Sequence, residues 1–287
     1  MDRRLLLRAA LAGVGGVGLG SVAAACGAGE SMTTDAGGEG GGIRAERSAY
    51  GTDPSQYGDL YRPTSAPRGV VVVIHGGFWK SAYGLEYGEP LARDLAQRGW
   101  LAWNIEYRRV GDGSGGGGGV PATLEDVTAA IAHLDELDLT DRPDQLDLAG
   151  LPVVGIGHSA GGHLATWAGA GGRLTHVISQ AGVLDLGTAH DLGLGGGAVE
   201  AFLGHPPGTA DADIDPIRMV PLAVPVWCVH GSADRVVPPE LSRGYVSAAG
   251  AAGGVAELVE TAGDHFAVID PADDAWARTV QILDGLG

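Results

Sequence analysis

The sequence is poor in lysine, in cysteine and in aromatic residues. Lys80 is the one lysine among 18 basic residues, which face 35 acidic residues and leave a net charge of −17 at pH 7. A chain this acidic is repelled by nucleic acid and by anionic lipid, so we expect neither as a partner. Two cysteines in 287 residues exclude a disulfide-stapled scaffold, and no Cys or His spacing typical of a metal site occurs.

Apolar residues, in contrast, are plentiful. They make up 45% of the chain, which excludes a disordered protein and is sufficient for one substantial core. Glycine is in excess, with 51 residues, or about 18% against a usual level of roughly 7%. Because glycine is so frequent, a short glycine motif carries weight only where its context supports it.

The first 25 residues are organised like an export signal. Arg3 and Arg4 precede an apolar stretch from Ala9 to Ala25, and small residues come directly before Cys26. The arginine pair resembles a twin-arginine signal, and A-A-A-C resembles the lipobox of bacterial lipoproteins. We therefore expect an exported, extracytoplasmic protein that is lipid-anchored through Cys26. A plain cleaved signal and an uncleaved anchor are the alternatives.

The composition divides the remainder into a tether and one folded domain. Residues 26–47 are glycine-rich and predict a flexible tether. From residue 48 to residue 287, strand-like and helix-like segments alternate; Gly69 to His75, for example, is a β-branched run typical of a strand covered on both faces. The alternation predicts an α/β fold with a doubly wound, mostly parallel sheet and helices on both faces. A small insertion from Leu186 to Leu222, after the sixth strand, interrupts it.

Residues 157–161 read G-x-S-x-G, with Ser159 at the centre. An apolar strand pattern precedes the motif and a helix pattern follows it, which predicts a strand-turn-helix with the serine at its apex. Glycine permits so sharp a turn. The start of the helix supplies backbone N–H groups, including that of Ala160, where negative charge develops during nucleophilic attack.

Residues 75–79 read His-Gly-Gly-Phe-Trp and follow the strongest strand pattern. Paired glycines at this point let backbone N–H groups face a cavity, where they can hold an oxyanion together with Ala160. We expect a structural role for His75 itself. The alternative for the whole segment is an ordinary glycine turn.

Asp234 and His265 each follow a further predicted strand, at the edge where open α/β sheets place their sites. A serine hydroxyl needs a histidine to take its proton and a carboxylate to orient that histidine, so Ser159, Asp234 and His265 are candidate catalytic residues. Asp185 also follows a strand and is an alternative acid. We interpret His158 and His163, beside Ser159, as packing or rim residues.

Four segments, H-G-G-F-W, G-H-S-A-G-G, H-G-S-A-D-R-V-V-P and G-D-H-F, resemble the α/β-hydrolase superfamily over about residues 50 to 286. They are similar to its esterase/lipase branch, which includes feruloyl-esterase-like proteins and kynurenine formamidases. The resemblance implies an α/β-hydrolase fold, with Ser159 as nucleophile, Asp234 as acid and His265 as base. It also implies an oxyanion hole at Gly77, Phe78 and Ala160.

Ester hydrolysis through an acyl-enzyme is the function we expect, on a small-molecule substrate and without a metal or organic cofactor. Hydrolysis of a C–N bond, by an arylformamidase or a peptidase, would use the same residues. A non-catalytic, lipid-tethered binding protein is the third hypothesis. The candidate substrate-binding residues are large side chains near the motifs: Trp79, Tyr83, Trp167, Phe202 and Met219.

Overall fold

The computed structural model describes residues 43–137 and 150–286. The predicted export signal, Cys26 and the tether up to residue 42 lie outside the described residues. The strands in the described part are β1 (Ala45–Ala49), β2 (Tyr57–Tyr61), β3 (Val70–Ile74), β4 (Leu101–Ile105), β5 (Val153–His158), β6 (His176–Gln180), β7 (Val226–Gly231) and β8 (Ala256–Thr261).

These strands form one sheet in the order β1-β2-β4-β3-β5-β6-β7-β8. β2 pairs antiparallel with both β1 and β4, and all the other pairs are parallel. The carboxyl ends of the parallel strands therefore meet at one edge of the sheet. Chain segments that follow β3, β5, β7 and β8 come together there, and these segments carry the residues singled out by the sequence.

Helices cover both faces of the sheet. They are α1 (Glu89–Gln97), α2 (Ala122–Ala132), α3 (Ala160–Ala168), α4 (Leu186–Asp191), α5 (Ala198–Leu203), α6 (Glu240–Ala251) and α7 (Asp274–Asp284). Short 3₁₀ turns occur at Leu85–Tyr87, His133–Asp135, Gly169–Gly171, Thr209–Asp211, Pro216–Arg218 and Ala267–Ile269. Apolar residues of α1 and α7 pack in one core cluster, and those of α2, α3 and α6 pack in another on the opposite face.

Strand β3 shows why this sequence forms a covered strand. All five of its residues are buried. Val70, Val72 and Ile74 contribute to one core cluster, and Val71 and Val73 contribute to the other. Side chains alternate between the two faces of a strand, so a continuous apolar run is required wherever both faces are covered. The predicted doubly wound, mostly parallel sheet is confirmed.

One sequence-based boundary differs from the structure. The predicted tether reached residue 47, but β1 begins at Ala45 and pairs with β2. The sequence A-E-R-S-A has no apolar alternation, and the strand is held by its ladder and by an ion pair between Arg47 and Asp59. The predicted insertion contains two short helices, α4 and α5.

Among the described residues, no helix has the length and apolar character needed to cross a membrane.

Candidate active site

Ser159 lies in a sharp turn between β5 and α3. Its backbone has a φ of 56° and a ψ of −118°, and a non-glycine residue held in such a region costs about 1–3 kcal/mol. The neighbouring glycines are required by space. A Cβ atom at Gly157 would lie 1.9 Å from the Gly161 carbonyl oxygen, and one at Gly161 would lie 2.1 Å from that of Ile74. The motif therefore forms the strand-turn-helix that the sequence predicts.

Main-chain hydrogen bonds hold this turn in place. The Ser159 N–H donates to the Gln180 carbonyl at 2.8 Å, and the Ser159 carbonyl accepts from the N–H groups of His163 and Val183 at 3.2 Å. The Ser159 hydroxyl has no hydrogen-bond partner in the described part of the chain and faces a cavity. A rigid backbone thus presents a hydroxyl that is free to meet a ligand.

Asp234 and His265 form a buried pair in the loops after β7 and β8. His265 Nδ1 lies 2.7 Å from Asp234 Oδ2, while the N–H groups of Val236 and Val237 donate to Asp234 Oδ1 at 2.8 and 3.0 Å. Burial opposes ionisation of the carboxyl, but hydrogen bonds from His230 and His265 hold the pKa of Asp234 well below its usual range. Asp234 is therefore a fixed anion beneath the His265 ring.

The other ring nitrogen of His265 is open. Its Nε2 has no hydrogen-bond partner among the described residues, and the ring lines the same cavity as Ser159. His265 thus combines a carboxylate at Nδ1 with an unpaired Nε2, and its ring borders the same cavity as Ser159. This is the arrangement in which an imidazole can accept a proton from a hydroxyl.

His158 packs against His265 and is hydrogen-bonded to its backbone. Its Nε2 lies 2.9 Å from the His265 carbonyl oxygen, and the two rings are 4.5 Å apart. Burial is the main cause that lowers the pKa of His158 to about 3, so this ring is neutral and donates through Nε2. Its packing role agrees with the sequence interpretation, and it also lines the cavity.

The glycine segment after β3 forms the opposite wall. Gly77, Phe78 and Trp79 have φ values of 111°, 53° and 55°, so three successive residues are left-handed. A Cβ atom at Gly77 would lie 2.4 Å from the Tyr83 Cβ atom, which restricts this position to glycine. The N–H groups of Gly77 and Phe78 donate to no described residue, and that of Ala160 is at the start of α3, where it has no partner within the helix.

A second histidine–carboxylate pair lies under this segment. His75 Nε2 is 3.0 Å from Glu106 Oε1, and His75 Nδ1 is 2.8 Å from the Gly76 carbonyl oxygen. The Arg109 Nε atom lies 3.3 Å from the same carboxylate. Burial opposes ionisation of Glu106, but the hydrogen bond and charge of His75, together with Arg109, lower its pKa. Both nitrogens of His75 meet oxygen atoms, so the ring is fixed within the fold, in agreement with the structural role expected for it.

The cavity in front of Ser159 has a volume of about 100 Å³. Its walls are mostly aromatic and glycine residues, and Tyr83 is the predicted substrate-binding residue among them. The lining consists of Gly76, Gly77, Phe78, Tyr83, Tyr87, His158, Ser159, Val236, His265 and Phe266.

The structure corrects four of the expected pocket walls. Trp79 and Phe202 are fully buried and stack on each other with ring centroids 4.6 Å apart, so they belong to the core. The left-handed backbone at residues 77–79 turns Trp79 inward. Trp167 and Met219 line a separate groove between α2, α3 and the insertion. None of the four lines the cavity in front of Ser159.

Asp185, the alternative acid, has another task in the fold. It is the N-cap residue of α4, where its carboxylate accepts from the N–H and the hydroxyl of Thr188 at 2.8 and 2.6 Å. These bonds satisfy an otherwise free donor at the start of the helix. The partner of His265 is Asp234.

Four residues of the site were missed by sequence reasoning. Tyr87 lines the cavity from the 3₁₀ turn at Leu85–Tyr87, and Val236 lines it from the loop after β7, two residues beyond Asp234. Phe266 follows His265 directly. His230 contacts Asp234 from the end of β7. Both Phe266 and His230 could have been found from their positions within the motifs. Phe266 is next to His265, and His230 is four residues before Asp234.

Metal and thiol chemistry have no visible site in the described residues. In residues 43–137 and 150–286, no group of three or more His, Cys, Asp or Glu side chains is placed to hold a metal ion. Cys228 is buried within β7, and burial raises the pKa of its thiol to about 12. The thiol is therefore protonated and out of reach of solvent.

The chain is similar in sequence to a known protein family and to a known esterase. The BD-FAE family model matches residues 59–248, well over half of the chain. Esterase LipC of Mycobacterium tuberculosis is 28% identical over 236 residues, which cover 71% of this chain and 54% of that protein. The chain thus spans about half the length of this curated relative.

Solved structures share the fold. The esterase Est2 of Thermogutta terrifontis with bound propionate has a TM-score of 0.64 and 26% identity, covering 84% of this chain and 92% of that one. A truncated carbohydrate esterase from gut microbiota has a TM-score of 0.67 and 18% identity, covering 87% and 98%. The expected resemblance to the esterase branch, including feruloyl-esterase-like proteins, is confirmed: the chain has the α/β-hydrolase fold and belongs to the BD-FAE family.

Proposed function

We propose that the protein is a serine hydrolase that cleaves carboxylic esters through an acyl-enzyme. One observation carries the proposal. The free hydroxyl of Ser159, the open nitrogen of the Asp234–His265 pair and the unpaired N–H groups of the glycine segment all border one cavity. Nucleophile, base and anion-stabilising donors around one space are the parts that acyl transfer needs.

Acylation begins with proton transfer. His265 Nε2 accepts the proton of Ser159 while the serine oxygen attacks the carbonyl carbon of the ester. The carbonyl oxygen becomes an oxyanion, which the N–H groups of Gly77, Phe78 and Ala160 stabilise, each worth about 2.7–4 kcal/mol. The C–O bond to the leaving group then breaks, and His265 returns its proton to the departing alkoxide.

Deacylation repeats these steps with water. His265 takes a proton from a water molecule that attacks the acyl-enzyme, and the same donors stabilise the second oxyanion. Collapse releases the carboxylic acid, and His265 gives its proton back to Ser159. Asp234 stays ionised throughout and stabilises the imidazolium that forms in each half-reaction.

The cavity favours short acyl groups. It is small, with a volume of about 100 Å³, and its walls are largely apolar and aromatic. The Est2 relative, whose structure holds propionate, supports the same choice. Aryl esters of short carboxylic acids are therefore the substrates that we propose to test first.

A fluorophosphonate probe tests the nucleophile, because it labels only an activated serine. We expect labelling of the wild type and none of Ser159→Ala or His265→Ala, together with a loss of at least about 10³-fold in p-nitrophenyl butyrate hydrolysis. Ser179→Ala is the matched control, because Ser179 is also buried on a neighbouring strand but lies outside the cavity. Unchanged hydrolysis by Ser159→Ala would contradict the proposal.

The same experiment separates the two other hypotheses. If a folded wild type is not labelled, the non-catalytic binding protein is favoured. If it is labelled, rates on a matched aryl ester and aryl formamide distinguish ester from C–N hydrolysis. We expect the ester to be the better substrate, because the proteins to which this chain is similar are esterases.

We further propose that the protein is exported and lipid-anchored through Cys26. The support is the sequence alone: Arg3 and Arg4, the apolar stretch to Ala25 and the small residues before the cysteine. The intact mass of protein extracted from membranes tests it. We expect a chain that begins at Cys26 and carries acyl groups; a chain cut elsewhere and without acyl groups would contradict it.

A further inference from the structure

His230 is a buried histidine for which the mechanism above has no use. It lies on β7, four residues before Asp234, and its side chain has no exposed surface. A histidine in a core usually satisfies both ring nitrogens with nearby structural groups. One of the groups that His230 contacts is the carboxylate of Asp234.

The contacts of His230 Nε2 fix its proton. This atom lies 3.1 Å from Asp234 Oδ2 and 2.9 Å from the Val237 carbonyl oxygen. Both oxygens are acceptors only, so Nε2 must carry the proton and donate it. The donor is shared between the carboxylate and the carbonyl.

The other nitrogen meets a hydroxyl. His230 Nδ1 lies 2.7 Å from Ser242 Oγ on α6. A hydroxyl can donate, so Nδ1 needs no proton of its own, and a neutral ring satisfies all three contacts. Ser242 therefore stabilises the neutral form of His230 with its proton on Nε2.

The carboxylate of Asp234 is consequently shared. Its Oδ1 atom accepts from Val236 and Val237, and its Oδ2 atom accepts from both His230 and His265. A donor on Oδ2 withdraws part of the negative charge that His265 would otherwise experience. The His265 ring then binds its proton less tightly than it would beside an unshared carboxylate.

We infer that His230 is a positioning residue that sets how strongly Asp234 holds the protonated form of His265, an inference that rests on the proposed catalytic role of these two residues. A base that bound its proton too tightly would stay protonated at the working pH and could not accept the proton of Ser159. Efficient proton transfer requires that the base titrate near the working pH. His230 tunes this property without touching the substrate.

Other titratable groups face the same assembly. His158 packs on His265 and is neutral because of its burial. Cys228 lies beyond Ser242, and its thiol is protonated. The carboxylate of Asp264, next to His265, accepts from the Phe266 N–H and is exposed. These groups are unchanged in the variants below, so a difference between variants reports on His230.

The test is NMR titration of the His265 ring in protein with isotope-labelled histidine, assigned with His265→Gln. In His230→Leu, which has no donor, we expect the titration midpoint of His265 to move to higher pH by about 0.5–1 unit. The acid limb of kcat/KM should move by the same amount. His230→Gln retains an N–H near the Nε2 position and should keep the midpoint within about 0.3 units of the wild type.

Ser242→Ala is the matched control for a packing defect. It removes a buried hydrogen bond of the same ring but leaves the Nε2 donor, so we expect lower stability with an unmoved midpoint. In the wild type, ring nitrogen shifts should show a neutral His230 with its proton on Nε2. This measurement needs no variant and remains valid if His230→Leu does not fold.

Two results would overturn the inference: a wild-type His230 that lacks a proton on Nε2, or a folded His230→Leu with an unmoved His265 midpoint. Failure of the proposed function would look different. It would show as an absence of probe labelling and hydrolysis in the wild type, while the titration of His265 would still respond to His230.

Discussion

Two buried histidine–carboxylate pairs lie close to the carboxyl edge of this sheet, and they behave differently. His265 pairs with Asp234 at 2.7 Å, and His75 pairs with Glu106 at 3.0 Å. Both carboxylates have lowered pKa values for the same reason: burial is the largest single effect and opposes ionisation, but hydrogen bonds and neighbouring positive charge together outweigh it. Distance and charge alone do not distinguish the pairs.

The second ring nitrogen distinguishes them. His75 Nδ1 donates to the Gly76 carbonyl, and Tyr107 covers the ring in a stack with centroids 4.4 Å apart. His265 Nε2 faces the cavity and has no partner among the described residues. The His75 ring is therefore contacted at both nitrogens and on one face. The His265 ring borders the cavity that Ser159 also lines. The same kind of pair is therefore structural at His75, whereas at His265 it fits the base that we propose, and the difference lies in what the second ring nitrogen contacts.

The largest effect should separate the two histidines by activity. His265→Gln can still donate to Asp234 but cannot take a proton from Ser159, so we expect kcat on p-nitrophenyl butyrate to fall by about 10³–10⁴-fold. The free energy of unfolding should change by less than about 2 kcal/mol. Steady-state kinetics and urea unfolding measure the two quantities. A variant that keeps a tenth of the wild-type kcat would remove His265 from the mechanism.

The second effect should appear in stability. Glu106→Gln removes the buried carboxylate that His75 and Arg109 share, and removing one partner of a buried pair costs about 3–5 kcal/mol. Urea unfolding should show this loss, while kcat per folded molecule falls by less than about 30-fold. Glu89→Gln breaks an exposed ion pair with Arg93 and should cost less than about 1 kcal/mol. The comparison fails if Glu106→Gln abolishes activity at unchanged stability.

These two pairs also show which features of the fold and of the site could be predicted from the sequence. The fold was predictable because strands such as β3 are continuous β-branched runs, and because the candidates Ser159, Asp234 and His265 each follow a predicted strand. Their order along the chain and their place at one sheet edge bring them together. The sequence could not show which aromatic side chains reach the cavity. A left-handed backbone at residues 77–79 sends Trp79 into the core, and no periodicity reports such a turn.

Contacts between elements distant along the chain were also beyond the sequence. Glu106 follows β4 and meets His75 only because β3 and β4 pair in parallel. Ser242 on α6 reaches His230 because α6 packs over β7. Strand β1 has no apolar pattern, since it is an exposed edge strand held by hydrogen bonds and ion pairs rather than by burial. Patterns of apolar residues cannot reveal structure that burial does not create.

Another buried histidine, His163, sharpens the comparison because no carboxylate among the described residues contacts it. His163 lies at right angles to the rings of Trp79 and Phe202, and its Nε2 is 3.0 Å from the Ile214 carbonyl oxygen. Burial lowers its pKa to about 4. In the unfolded chain a histidine titrates near about 6.5. As the pH falls from 6.5 to 4, the unfolded chain therefore binds a proton that the folded chain does not bind, and stability is lost.

The measurement is urea unfolding at pH 7 and at pH 4. Between these values we expect the wild type to lose roughly 2–3 kcal/mol more than His163→Gln, which keeps a donor for Ile214 but does not titrate. Other groups, such as His158, titrate in both proteins, so the difference isolates His163. An equal loss in the two proteins would mean that His163 is protonated in the fold at pH 4 as readily as in the unfolded chain.

The smallest effect concerns the open side of His265. Phe266 lines the cavity at an edge-on contact with the His265 ring and is 52% exposed. It contributes apolar surface to the substrate and takes no part in proton transfer. Phe266→Ala should therefore raise KM for aryl esters by about 3–10-fold, worth about 1 kcal/mol, and change kcat by less than about twofold.

The matched control is Val255→Ala, since Val255 is also exposed and apolar but lies away from the cavity. It should leave both constants unchanged. If His265 acts as a base because its Nε2 is unpaired, Phe266 should affect only how substrate binds in the cavity. Phe266→Ala should therefore leave the pH dependence of kcat unchanged. A shifted pH profile would mean that Phe266 shields the His265 ring from water as Tyr107 shields His75. The two histidines would then differ only in how far each ring is shielded.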